Sequence, residues 1–427
     1  MQTLIRGLRA AAQRRLAHAA MVTTAALCSA GAVQAAPAFI TVGDGAHMLL
    51  HRLSPQAVTH ATRQVDVRVP ERPGSRRLVG ARDGVHVVEI DDDLLPALSL
   101  AVHETLRRCG GFMQHASLAE ALAHLHRLQG EVVPALAPSY TLDDTAQVQA
   151  LLPQLQASHI LGTIQSLSDF QNRMYNSSHG TAASTWLFNT WKALAGGRRD
   201  VRVTQVRHSG WPQRSVSFVI RGNGANADET VVLGGHLDSI SAGSPETLRA
   251  PGADDDASGV AAMTEVIRVL MAANYKPQRT VEFIAYAAEE VGLRGSQQIA
   301  AKYARAARPV VGVLQLDMTA YQGNATDLWL FTDYTNTAQN NFVAALAAGY
   351  LPTLTVGYDR CGYACSDHAS WTARGFAASF PFESSFAASN RQIHTPNDTT
   401  ATFGNQAEHA LKFTQLALAF AVELGSD

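Results

Sequence analysis

Three separate runs in the second half of the chain are almost wholly apolar, and each stops at side chains that can bind a cation. Val231-Val232-Leu233-Gly234-Gly235 leads into His236-Leu237-Asp238. Val281-Glu282-Phe283-Ile284-Ala285-Tyr286 leads into Ala287-Ala288-Glu289-Glu290. Val311-Gly312-Val313-Leu314-Gln315-Leu316 leads into Asp317. Near-continuous apolar strands belong to a sheet covered on both faces, because a sheet with one wet face alternates apolar and polar residues. The pattern predicts an α/β fold with a mixed, mostly parallel central sheet covered by helices on both faces. In open sheets of this kind, function gathers beyond the carboxyl ends of the strands.

Between the first two runs stand Asp254-Asp255-Asp256. Three adjacent carboxylates repel one another, and solvent or a cation must offset that. A helix N-terminus ahead of the apolar-periodic Val260–Met271 accounts for one of them through the helix dipole and leaves two over. Later in the chain, His394 follows an apolar neighbour in Gln392-Ile393-His394-Thr395-Pro396. Each of these residues alone reads as ordinary strand-end or turn chemistry. As a set they supply two histidines, three or four carboxylates and a spare glutamate, an N and O donor set suited to zinc without thiolates. One carboxylate can bridge two ions, and two ions about 3.5–4 Å apart can polarise a carbonyl and activate a water. The spare glutamate is then free to carry the proton.

The rest of the chain is organised around this half. Arg6, Arg9, Arg14 and Arg15 precede a small-residue apolar stretch from Ala19 to Val33, which ends in Val33-Gln34-Ala35-Ala36-Pro37. That is the layout of a cleaved secretory signal over residues 1–35. The apolar run is shorter than the roughly 20 residues a membrane span needs, so no stable anchor is expected. Arg14-Arg15 alone is a weak twin-arginine signal. Residues 36–137 read as a small α+β unit, with strand-like Val65–Val69 and Val85–Ile90 and helical Leu95–Arg108 and Leu118–Leu128. Its His103, His115, His124 and His126 have no metal-site spacing and read as surface or packing. Val133-Pro134-Ala135-Leu136-Ala137-Pro138-Ser139 then breaks the pattern as a linker or processing point, and residues 138–427 read as one α/β domain. Export makes Cys361 and Cys365 a local disulfide. A pair of zinc thiolates is the alternative, although no second cysteine pair completes such a site. Cys28 leaves with the signal, and Cys109 reads as a buried thiol. The formal net charge of -2 argues against a nucleic-acid partner, which requires a basic excess.

Gly234-Gly235-His236-Leu237-Asp238-Ser239, Gly252 to Gly259, Ala288-Glu289-Glu290-Val291-Gly292-Leu293-Arg294-Gly295-Ser296, Leu316-Asp317-Met318 and Ile393-His394-Thr395 together resemble the secreted bacterial di-zinc leucyl aminopeptidases of the M28 peptidase family. Cys361 to Trp371, with its close cysteine pair and Ser366-Asp367-His368, resembles the same subgroup. The resemblance covers roughly residues 140–425 and implies a zinc-peptidase fold holding two Zn2+ per chain. It implies that Asp255 bridges the ions, that His236 and Asp317 complete one site, and that Glu290 and His394 complete the other. Glu289 is implied as the general base, Asp238 as the group that orients His236, and Asp255-Asp256 as a cis peptide. Met318, Phe331, Tyr363, Phe380, Phe382, Phe386 and Ile393 match an apolar pocket for the first side chain of the substrate, though aromatics at such positions also serve as plain core. By the same analogy residues 36–137 are a pro-region that assists folding and covers the site until a processing protease removes it. The expected partners are peptides or proteins with a free N-terminus, and the enzyme is expected to be an exported or periplasmic monomer.

Three rival readings make different demands. A single-zinc acyltransferase of the glutaminyl cyclase type shares this fold and would hold one ion. A non-catalytic binding module on the fold would have lost a ligand or the base, and none is lost. A carboxypeptidase of the M20 type would carry a separate dimerisation domain between the glutamate pair and the last histidine. Here that interval is only about a hundred residues.

Overall fold

The computed structural model describes residues 37–70, 78–106, 108, 111–127 and 140–426. The expected signal segment, the break at 133–139, Cys28 and Cys109 lie outside the described residues.

A four-stranded antiparallel sheet comes first. It is built from β1 (Pro37–Gly43), β2 (Val58–Pro70), β3 (Leu78–Asp91) and β4 (Phe112–His115), in the order β2-β3-β1-β4. Helices α1 (Asp44–Leu53), α2 (Leu95–Leu106) and α3 (Leu118–Arg127) accompany it. The strands expected at Val65–Val69 and Val85–Ile90 lie within β2 and β3, and both expected helices are present.

The chain continues through α4 (Thr145–Leu151), α5 (Ala157–Ser168) and α6 (Ser178–Ala195). The helix expected over Val148–Leu155 stops at Leu151 and continues only as a short 3-10 turn. Pro153 removes a backbone donor there and crowds the preceding turn. An eight-stranded sheet follows. It contains β5 (Val201–Val206), β6 (Ser215–Ile220), β7 (Thr230–His236), β8 (Thr280–Tyr286), β9 (Val310–Gln315), β10 (Leu328–Phe331), β11 (Val356–Asp359) and β12 (Ala378–Phe382). The order is β11-β10-β12-β9-β7-β8-β6-β5. The four central strands β12, β9, β7 and β8 run parallel, and the antiparallel pairings lie outside them. Helices α7 (Ala257–Ala272), α8 (Arg294–Arg305), α9 (Thr337–Tyr350), α10 (His368–Thr372) and α11 (Glu408–Ser426) complete the set.

Both faces of this sheet are buried, as the apolar runs demand. Val231 and Leu233 of β7, with Val281, Phe283 and Ala285 of β8, enter a core shared with α4, α5, α6, α7 and α11. Their alternate neighbours Val232, Ile284 and Tyr286 enter a second core with Ile299, Tyr303 and Trp371. The period of two between facing residues is that of a pleated strand. The chain passes from β7 to β8 on one side and then crosses to β9 on the other, so the strand order reverses at β7. A crevice opens at such a reversal beyond the carboxyl ends of the strands.

Candidate active site

The reversal places the three polar strand endings together. His236 pairs with Tyr286 at the end of β7, Glu289 and Glu290 follow Tyr286, and Asp317 lies two residues beyond β9. Gly235 permits this approach: a Cβ there would stand 2.8 Å from the Leu316 carbonyl and 3.0 Å from Asp256. Ala288, Met318 and His394 all adopt positive φ, at 59°, 58° and 55°. Non-glycine residues are strained in that region by about 1–3 kcal/mol each, and such strain concentrates at functional sites. All three adjoin or belong to the polar cluster.

The three consecutive aspartates have separate tasks. Asp256 caps α7 by accepting from Gly259 N at 2.8 Å, and also accepts from His236 N at 2.9 Å and Met318 N at 3.3 Å. Asp254 accepts from Ala320 N and from the Asn390 amide, each at 3.0 Å. Asp255 faces both histidines: its Oδ1 is 2.8 Å from His236 Nε2 and its Oδ2 is 3.1 Å from His394 Nε2. Burial raises Asp254 and Asp256, whereas at Asp255 burial is outweighed by the two histidines and the carboxyl is held low. The Asp255-Asp256 peptide is cis.

Around Asp255 the donors fall into two groups. The ligand atoms of His236, Asp255 and Asp317 lie within 4.8 Å of one another, as do those of Asp255, Glu290 and His394. His236 Nε2 is 3.5 Å from Asp317 Oδ1, and His394 Nε2 is 2.7 Å from Glu290 Oε2. His236 Nδ1 is 3.0 Å from the Asp238 carbonyl. Donating its proton there turns a lone pair on Nε2 toward carboxylate oxygens, an arrangement that suits a cation between them. Both Glu290 oxygens, Asp317 Oδ1 and both His394 nitrogens are buried without a well-aligned hydrogen bond. Buried polar groups are normally satisfied, so these residues fit zinc, and sharing Asp255 fits two ions.

The Asp238 carboxylate lies 3.7 Å from His236 Nδ1 and is turned mainly to the next strand end, where it accepts from Glu289 N at 3.0 Å and Glu290 N at 3.2 Å. It thereby fixes the backbone of the glutamate pair. Burial raises the Glu289 carboxyl well above its usual range. His236 opposes the rise, while Glu290, Asp367 and Asp317 add to it. Ser366 donates to Asp317 Oδ2 at 2.5 Å.

Met318, Phe331, Tyr363, Phe380, Phe382 and Ile393 form one buried cluster with Cys361 and Cys365, and Phe386 packs against it. Phe331 lies at its centre, with ring centroids 5.4, 4.6 and 6.3 Å from those of Phe380, Phe382 and Phe386. Cys361 and Cys365 are joined as a disulfide, which closes the thiolate alternative.

Several supporting residues left no signal in the sequence. Asp398 accepts from Asp254 N at 3.2 Å and Asp255 N at 3.1 Å. Arg173 is fully buried and donates to the carbonyls of Leu167, Leu237, Pro251 and Gly252. Its charge also offsets Asp256, Asp398, Asp238 and Asp255. Removing one partner from a buried charge cluster typically costs about 3–5 kcal/mol. Arg173→Met should therefore lower the urea midpoint of the full chain sharply, and a shift within error would contradict this role.

The antiparallel sheet also reaches the site. Ser99 of α2 donates to the Glu290 carbonyl at 2.6 Å. The Gln114 N–H donates to Gly292 O at 3.1 Å, and the Phe112 ring occupies the space that a Cβ on Gly292 would take. The ring of His103 lies 4.7 Å from that of His394, and the Arg108 guanidinium stands 4.4 Å above Tyr363. His103 is thus a packing residue as its context suggested, but what it packs on is the cluster itself.

The family model for peptidase family M28 matches residues 217–419. Leucine aminopeptidase 1 of Coccidioides posadasii (strain C735) is 36% identical over 292 residues, covering 65% of this chain and 74% of that protein. The structure of LapB from Legionella pneumophila superposes with a TM-score of 0.73 at 30% identity, over 92% of this chain and 100% of the other. The LapA aminopeptidase of the same organism gives 0.73 at 29% identity, over 92% and 99%.

Proposed function

The chain belongs to peptidase family M28, and from that premise we propose that it is a two-zinc aminopeptidase releasing apolar, leucine-like residues from free N-termini. Membership makes it a zinc-dependent hydrolase of the aminopeptidase type. The observation that carries the finer reading is the pair of donor groups hinged on Asp255, with Glu289 beside them and in neither.

When bound, zinc would polarise the scissile carbonyl and acidify the attacking water. His236 and Asp317 would hold one ion, Glu290 and His394 the other, and Asp255 both. Asp238, Asp398 and Ser366 position these ligands through the bonds described above. Glu289 takes a proton from the attacking water and delivers it to the leaving amine nitrogen. With its backbone held by Asp238 and its carboxylate in neither donor group, it is placed to take up that proton and release it again. Met318 and Ile393 follow and precede ligands directly, so the aromatic cluster they join is within reach of the first side chain.

Leucine anilide hydrolysis tests the reading. We expect release from the processed protein that chelator abolishes, no cleavage of the N-acetylated substrate, and higher rates on Leu, Met and Phe than on Ala anilide. A preference for charged first residues would remove the apolar-pocket reading. Zinc content of the processed chain, which lacks residues up to about 137, separates this enzyme from a single-zinc cyclase: two ions per chain against one.

We also propose export through a cleaved N-terminal signal, and latency until residues up to about 137 are removed. Among the described residues no helix is long and apolar enough to cross a membrane. The approach of Ser99, His103 and Phe112 to Glu290, His394 and Gly292 supports the latency. A monomer acting on peptides with free N-termini, matured by a separate protease, completes the proposal.

A further inference from the structure

We propose that the N-terminal unit carries a second, separate transition-metal site, formed by His47 and His51 of α1 with Thr59 of β2. It shares no residue with the Asp255 cluster and does not depend on the function proposed above.

His47 and His51 are four residues apart on one helix, so their side chains share a face one turn apart. This is the spacing by which a helix presents two imidazoles to one ion. Their Nε2 atoms approach to 3.2 Å. The Thr59 hydroxyl lies 2.9 Å from His47 Nε2 and 3.2 Å from His51 Nε2. The three atoms make a nearly equilateral triangle.

Hydrogen bonding fills such a triangle only for particular tautomers. A neutral imidazole nitrogen has either one proton to give or one lone pair to offer, and the hydroxyl has a single proton. The two rings must then carry their protons on different nitrogens for both to bond the hydroxyl without an N–H facing an N–H. A cation above the triangle instead accepts a lone pair from all three atoms. Donors about 2.0–2.1 Å from a tetrahedral ion lie about 3.3 Å apart, close to all three edges. The donor pairs around Asp255 show the same range, from 2.7 Å to 3.5 Å.

The surroundings hold His47 in place. Its ring stacks on His86 at 3.8 Å with the planes 4° apart. Both nitrogens of His86 are engaged, Nε2 with Asp44 Oδ1 at 2.7 Å and Nδ1 with Thr62 Oγ1 at 2.9 Å. His86 is therefore a wall and not a donor. Asp44 is itself anchored by Gly84 N at 2.9 Å, and its carboxylate provides negative charge close behind the pair. Two imidazoles, one hydroxyl and open positions for solvent suit zinc, copper(II) or nickel(II), and suit calcium or magnesium badly.

The test compares the full-length chain with its His47→Ala/His51→Ala variant. Both are dialysed against micromolar zinc and assayed for bound zinc. We expect the variant to hold one ion fewer per chain. Copper(II) added to the zinc-loaded wild type should give an EPR spectrum with two imidazole nitrogens, and the variant should lose it. Equal zinc contents, or copper spectra the variant does not alter, would overturn the proposal. Should the double variant fail to fold, His51→Gln alone is read in the same way. The result is a difference between two chains, so it stands whether the Asp255 cluster holds two ions, one or none.

Discussion

Glu289→Gln is expected to lower kcat for leucine anilide by about 10²–10⁴-fold, the usual contribution of a positioned general base, while zinc content and KM stay near the wild-type values. The prediction follows from where Glu289 stands. Its backbone is fixed by Asp238 and its carboxyl is buried among His236, Glu290, Asp367 and Asp317, yet it belongs to neither donor group. Glutamine keeps the size and a hydrogen-bonding oxygen but cannot accept a proton. An interaction made only in the transition state lowers kcat and kcat/KM together. Glu290→Gln serves as the contrast, because that carboxylate would be a ligand and its loss should first appear as missing metal. If Glu289→Gln loses zinc as Glu290→Gln does, the two roles have been assigned to the wrong neighbours. A Glu289→Gln enzyme within a few-fold of wild type would remove the general-base role.

The difference between those adjacent glutamates shows what the sequence could and could not tell. The apolar runs fixed three strand positions, and the switch in strand order brought their endings to one rim. The sheet was legible because burial on both faces leaves no polar alternation. The cluster was legible because strand ends are short and each carried a chemically distinctive residue. Asp254-Asp255-Asp256 was legible as an anomaly but not as a division of labour. Which carboxylate caps α7, which meets Asn390 and which faces the histidines depends on backbone direction over single residues. The supporting groups were silent for a different reason. Asp398 and Arg173 act over separations of many tens of residues and carry no local pattern. His103 looked like any helical histidine, because its partner His394 is 291 positions away (394 − 103) and nothing in α2 announces it.

That contact leads to the other large effect. The full-length chain should hydrolyse leucine anilide at least about 10²-fold more slowly than the chain cleaved between Pro134 and Leu142 and freed of its N-terminal fragment. The contacts that hold the unit at the rim include Ser99 on the Glu290 carbonyl, Gln114 N–H on Gly292, and Arg108 over Tyr363. A hydrogen bond contributes about 1 kcal/mol net and a cation–π pair at least about 0.5–1 kcal/mol, so these three alone would contribute about 3 kcal/mol to a covered state. A protein competent only when uncovered loses apparent activity in proportion to that population, and each 1.4 kcal/mol is tenfold. Ser99→Ala should recover part of the activity, because it breaks one contact without altering a metal ligand. His103→Ala should recover part as well, by removing the ring that packs on His394. Cleavage without separation should leave latency largely intact, since noncovalent contacts survive the cut. Equal rates before and after removal, measured at matched zinc content, would mean that residues 37–127 are a permanent accessory domain and that substrate enters past α2.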